Sequence, residues 1–278
     1  MVSIANKGVS LKTKANVKVK KVRFNNLRKL ILGLILPVSL LIIWEISGRL
    51  GLLNPLLLPT PSAILQEFVY LWQHQRLLDH LQVSTLRALS GFAIGAGLGL
   101  LFGVMIGFIY KFERLLDPSI QMLRMLPHLA IAPLFILWFG FGETSKLLLI
   151  AKGSFFPLYV NTFLGIRSMD KKLFEVANVL QFSKWSLLTK LIIPSALPHI
   201  FLGIRLSIGV AWVGLVVAEM MGSTQGIGFL INDARSMSII STVFVGIIIF
   251  AILGKLSDSI VLWLERKALR WQNSFKGR

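Results

Sequence analysis

Long stretches of this chain carry no charged residue at all, among them Ala88–Tyr110, Met125–Gly142 and Ser236–Gly254. A helix needs about 20 mostly apolar residues to cross roughly 30 Å of hydrocarbon. Six segments meet that requirement, at roughly 30–48, 88–110, 118–139, 146–166, 195–220 and 238–264. None alternates apolar and polar residues as a barrel strand would. Backbone groups inside lipid must bond within their own segment, so the spans are expected to be helices. Only 15% of the residues are charged and 55% are hydrophobic. That balance argues against a disordered chain and against an ordinary soluble enzyme. With no cysteine, a disulfide scaffold, a thiolate metal site and a cysteine nucleophile are excluded.

Basic residues report sidedness. The tail 1–29 holds Lys7, Lys12, Lys14, Lys18, Lys20, Lys21, Arg23, Arg28 and Lys29 with no acid, and the tail 265–278 holds Arg266, Lys267, Arg270, Lys276 and Arg278. The 167–193 loop adds Arg167, Lys171, Lys172, Lys184 and Lys190, and a short 111–117 loop adds Lys111 and Arg114. The opposite loops hold only Arg49, Arg76, Lys146 and Arg235, with Arg87 at a boundary. Six spans with both tails cytoplasmic fit this split. The expected organisation is a basic tail 1–29, a transmembrane domain 30–264 and a second basic tail 265–278. The net charge of +18 is then explained by topology and anionic lipid. No aromatic-interleaved basic platform for nucleic acid is visible. The first apolar stretch runs past the usual signal-peptide core and no A-x-A site follows it, so it is expected to stay as a helix.

Thr60-Pro61-Ser62 reads as a helix start, with a capping hydroxyl followed by proline at the first helical position. Ile64, Leu65, Phe68, Leu71 and Trp72 then recur at helical spacing. This amphipathic helix either lies at the membrane interface or packs over the bundle. The 167–193 segment is too polar to span. Asp170 can cap a helix carrying Leu173, Ala177, Leu180 and Leu188, whose apolar stripe needs either the chain's own bundle or a groove on another protein.

Gly91, Gly95, Gly99, Gly103 and Gly107 form a ladder in the second span. Such a strip brings two backbones together or leaves room for solute. Arg124, Lys152, Arg205, Lys255 and Asp258 fall at or near hydrocarbon depth, where each charge needs a counter-charge or an aqueous path. Lys255 and Asp258 are three apart and can pair; Arg124, Lys152 and Arg205 have no local acid, although Glu219 or Glu45 can reach them through the fold. Three cations facing a cavity would suit an anionic solute. No catalytic constellation is present: His74, His80, His128 and His199 are dispersed, and Gly254-Lys255 is no phosphate loop. Pro127-His128 and Pro198-His199 mark helix entries or kinks.

Glu175-Val176-Ala177, then Leu180-Gln181, then Leu191-Ile192-Ile193-Pro194 resembles the EAA loop of bacterial ABC importer permeases. Gln181 stands where that pattern has glycine, a departure at the point of a sharp bend. The resemblance extends over about residues 30–272. Ser119–Arg124, Leu126-Pro127-His128-Leu129-Ala130, Leu137-Trp138-Phe139-Gly140, Phe156–Thr162 and Gly226-Ile227-Gly228-Phe229-Leu230 are similar to the sulfonate/nitrate/taurine branch. Lys152 is a second departure, where a small or apolar residue is expected.

The resemblance implies an all-α membrane protein with the type I ABC importer permease fold and a cytoplasmic coupling helix. It implies a multi-pass subunit of the bacterial inner membrane, not an enzyme, with no cofactor on this chain. ATP and Mg would sit on separate ATPase subunits, a periplasmic or lipid-anchored protein would deliver solute, and a second permease chain would complete the path. Glu175, Val176, Ala177, Asn178, Leu180, Gln181, Phe182, Ser183 and Lys184 would couple to the ATPase. Arg124 and Arg205 are candidate path or gate cations and Glu219 a candidate gate acid. Aliphatic sulfonates are the implied cargo, with taurine, nitrate, bicarbonate or a thiamine precursor as alternatives. An autonomous channel or secondary carrier would leave the 167–193 helix unexplained.

Overall fold

The computed structural model describes residues 35–74 and 77–271. The tail 1–29, residues 30–34 of the first expected span, Arg76 and residues 272–278 lie outside the described residues. The chain divides after Gln66 into two compact units. In the first, residues 35–49 are helical (α1) and α2 (Pro61–His74) begins. Thr60 Oγ1 accepts from Ala63 N at 3.3 Å, the hydroxyl cap that the Thr-Pro-Ser start predicts. Glu45 accepts from Ser62 N at 3.0 Å and Ser62 Oγ at 2.8 Å.

In the second unit the long helices are α3 (Leu77–Phe108), α6 (Glu143–Arg167), α9 (Ile193–Gly222) and α11 (Ile240–Ala268). These four, with α9 counted from Lys184, are long and apolar enough to cross a membrane, and one bent helix pair is a candidate fifth crossing. The glycine ladder lies buried against α6: a methyl group on Gly95 would stand 2.1 Å from the Ala151 carbonyl oxygen, and one on Gly99 2.5 Å from that of Phe155. Where lipid is as apolar as the side chains, such close backbone approach is a main source of helix association. Toward α9, Ser207 Oγ donates to the Ser154 carbonyl at 2.7 Å, and Leu158 and Ile166 of α6 pack with Ala196 and Ile200 into one core. Trp212 Nε1 donates to Ser257 Oγ at 3.1 Å, joining α9 to α11.

The 118–139 segment is not one straight span. It belongs to α4 (Tyr110–Arg124) and α5 (His128–Phe139), which meet at 100°. Proline disfavours helical backbone at the residue before it, and Pro127 itself sits extended at φ −58°, ψ 131°. Nor is 111–117 a loop. The chain breaks at Ile109 (φ −110°, ψ 102°) and re-enters a helix whose polar side chains find partners: Glu113 pairs with Arg167, Arg114 stacks on Tyr110, and Asp117 accepts from the Tyr159 hydroxyl at 2.5 Å.

The 167–193 segment is also divided differently from its apolar pattern. Asp170 caps α7 (Lys171–Val179), its Oδ1 accepting from Lys172 N at 3.0 Å. After a turn, α8 (Lys184–Leu187) and a π-helical segment (Leu188–Ile192) run directly into α9, so Leu188 belongs to the span rather than to the excursion. Pro194 has no N–H and would crowd the carbonyl four residues back. The wider π turn accommodates it, with Ile193 N bonding the Leu188 carbonyl.

Candidate functional site

Three groups of side chains in the second unit carry chemistry. The first lies at the Glu143 end of α6. His80, Ser84 and Arg87 stand at i, i+4 and i+7 on α3, one helix face. Arg87 is buried and donates to Glu143 through two bonds of 2.6 Å, to Glu219 at 2.9 Å and to the Gln225 carbonyl at 2.6 Å. Glu219, whose side chain is 0% exposed, also accepts from Ser84 Oγ at 2.9 Å and from Gly228 N at 2.8 Å. Lys146 pairs with Glu143 at 3.0 Å, so two cations balance two carboxylates. The free N–H groups at the start of α10 (Ile227–Ser236) are taken up here: Gly226 N donates to His80 Nδ1 at 3.0 Å and Ile227 N to Ser84 Oγ at 2.8 Å. Gly226 holds φ +120°, and a methyl group there would meet the Glu219 carboxyl at 2.3 Å.

The charge pattern of the sequence puts Arg87 at a loop boundary and Lys146 in a loop; both are buried in this network. The signal for Arg87 is the His80-Ser84-Arg87 spacing, a polar stripe at helical period running into an apolar helix.

The second group is α7 and the turn after it, at the Arg167 end. Ala177 is buried and Phe174 packs against the core that holds Leu158, Ile192 and Ala196. The face bearing Val176, Val179 and Leu180 points away, with Val179 81% and Trp185 73% exposed. Phe174 and Ala177 are therefore the packed side, while Leu173 and Leu180 of the expected stripe are exposed. Glu175, Gln181, Ser183 and Lys184 are exposed as well. Gln181 makes the bend at φ +51° and Phe182 N donates back to the Ala177 carbonyl at 3.0 Å, the closing bond of a Schellman turn. Ser183 then caps α8, accepting from Ser186 N at 3.2 Å.

The third group surrounds an open cleft of about 520 Å³ at the α4–α5 bend, where Arg124, His128, Lys152, Phe156 and Asn161 line the wall. Lys152 Nζ donates to the Leu126 carbonyl at 2.9 Å. None of the residues lining the cleft is an acid. Lys152 sits about 14 Å along α6 from Glu143 at 1.5 Å per residue. A lone cation at such depth costs about 2.5–3.5 kcal/mol on insertion scales unless something offsets it.

Arg205 is not in this cleft. Its counter-acid is neither Glu219 nor Glu45 but Asp258 of α11, at 2.9 Å, with Lys255 on the same carboxylate at 3.5 Å. Among the described residues no cluster of three His, Asp or Glu side chains could hold a metal.

Residues 95–270 match the family of binding-protein-dependent transport system inner membrane components. A putative aliphatic sulfonates transport permease protein of Bacillus subtilis (strain 168) is 57% identical over 245 residues, 88% of this chain and 89% of the relative. One of the same description from Escherichia coli (strain K12) is 43% identical over 240 residues, 86% and 91% of the two chains. In fold the chain is similar to a solved chain of the inward-facing MetNI methionine ABC transporter. That match has a TM-score of 0.56 at 15% identity and covers 69% of this chain and 94% of the other.

Proposed function

The chain belongs to the family of binding-protein-dependent transport inner membrane components, and from that premise we propose that it is the membrane path for aliphatic sulfonates in an ATP-driven importer. The observation that carries the cargo is the identity of 57% and 43%, over nearly the whole length, to two permeases described as serving aliphatic sulfonates. Partner subunits supply the ATP hydrolysis; this chain is the transport subunit.

Both termini lie on the cytoplasmic side in this reading, with α7 facing the ATPase. A rigid helix docked in a groove passes subunit rotation to the spans. The exposed apolar face of Val176, Val179 and Leu180, with Glu175 beside it and Asn178, Gln181, Phe182, Ser183 and Lys184 extending the same segment, suits that contact; Ala177 anchors it to the bundle. Arg124 is a path cation, and Arg205 is a gate cation whose bond to Asp258 holds α9 to α11. Glu219 locks the opposite end through Arg87 and the start of α10. The packed ladder Gly91, Gly95, Gly99, Gly103 and Gly107 keeps α3 and α6 moving as one body. A second permease chain completes the path, and a binding protein outside the membrane hands over solute.

Liposomes holding this chain, its ATPase and its binding protein should take up butanesulfonate only when ATP and all three proteins are present. Uptake by this chain alone would refute the proposal. Replacing Glu175 by alanine should leave insertion intact and ATP hydrolysis active while uptake per ATP falls; unchanged coupling removes Glu175 from the contact.

A further inference from the structure

We propose that the cleft at the α4–α5 bend is a resident anion site, in which Arg124 and Lys152 hold a sulfonate head during passage; this rests on the importer reading above. The lining carries two cations and no carboxylate. The Arg124 side chain has no hydrogen bond or ion pair with any described residue, and Lys152 Nζ bonds only the Leu126 carbonyl. Arg124 is exposed and Lys152 half-buried, whereas the buried Arg87 has Glu143 and Glu219 and the buried Lys146 has Glu143. His128 also lines the cleft, but its Nε2 is buried beside Gly153 and Gly214 and is not offered to a ligand there.

A sulfonate has three acceptor oxygens and one negative charge. Arginine meets two such oxygens with a planar fork, and lysine supplies a point charge. The rest of the wall is apolar, with Phe156, Val160 and Val210 available to an alkyl tail. The volume of about 520 Å³ lies within the roughly 300–1,000 Å³ of small-molecule sites. Lys152 also holds its ammonium where α4 gives way to α5, so a ligand on it touches the 100° bend between those helices.

The test measures butanesulfonate binding to the detergent-solubilised permease–ATPase complex without the binding protein. Saturable, salt-weakened binding is expected. Lys152→Gln keeps a donor for the Leu126 carbonyl but removes the charge, so its melting temperature should stay unchanged while affinity falls at least about tenfold. Arg124→Gln, at an exposed side chain with no partner, should show the same loss and decides the matter if Lys152→Gln fails to fold. Lys267→Gln, at a side chain stacked on Trp263 and outside the cleft, should bind as wild type. Wild-type affinity in both cleft variants overturns the site. So does a wild-type complex that takes up butanesulfonate with its binding protein yet binds none alone, and that result leaves the importer reading standing. A wild type that neither binds nor takes up butanesulfonate removes the sulfonate reading, and the site with it.

Discussion

The α3–α6 contact makes a sharp quantitative demand, which a single methyl group can probe. Gly95→Ala places a carbon 2.1 Å from the Ala151 carbonyl oxygen and 2.7 Å from its carbonyl carbon. Both are backbone atoms, so no side chain can turn aside. Ordinary contact is restored only if the helices part by about 1 Å, and a gap of that size forfeits a quarter to a half of each dispersion contact along the seam. Overpacking of this kind costs about 1–3 kcal/mol, and the loosened seam at Gly91, Gly99 and Gly103 adds to it.

Gly97, on the same helix, offers open space: a methyl group there would have nothing within 4 Å. At that position alanine gains up to about 1 kcal/mol of helix propensity. Gly107 is intermediate, because its methyl would meet only the Ile166 side chain, at 3.1 Å. The intrinsic tryptophan fluorescence of the purified protein in detergent reports thermal unfolding. Gly95→Ala should melt roughly 5–10 °C below wild type, with Gly97→Ala at or slightly above it and Gly107→Ala between them. Equal melting of Gly95→Ala and Gly97→Ala would refute the close backbone approach and the packing role of the ladder with it.

Arg87→Met leaves Glu219 buried without its counter-charge and should cost roughly 3–5 kcal/mol. Adding Glu219→Gln should recover part of that loss, read as a non-additive term in a double-mutant cycle of melting temperatures. At the α7 bend, Gln181→Gly removes the left-handed strain of a side chain at φ +51°. Hydrogen exchange at Phe182 N–H should slow by up to about fivefold, while Gln181→Val should speed it; the reverse order would deny the strained turn.

What the sequence makes legible divides by the range of the interaction. The spans α3, α6, α9 and α11 announce themselves through long apolar stretches, and the α2 start through Thr60-Pro61, because both signals are local. The bend at Leu126–Pro127 is hidden by a hydropathy sum that ignores backbone geometry. The start of α3 at Leu77 is hidden because Asp79 and His80 look like loop residues until Gly226 supplies a partner for His80. Arg87 finds its two carboxylates 56 and 132 residues away, and Arg205 finds Asp258 53 residues away, distances over which no periodicity reports. Gln181 is legible only as a departure from a pattern; its positive φ shows how a side chain occupies a glycine-like turn.

The uninterrupted helix from Lys184 to Gly222 is 39 residues long, about 58 Å at 1.5 Å per residue and nearly twice the thickness of the hydrocarbon layer. Such a rod behaves as a crankshaft: a tilt imposed beside Trp185 must reappear, reversed about its pivot, beside Glu219. The surplus residue in the turn at Leu188–Ile192 and Pro198 inside α9 are slack built into its length, so they govern how much of a stroke arrives at the far end and how much is absorbed on the way.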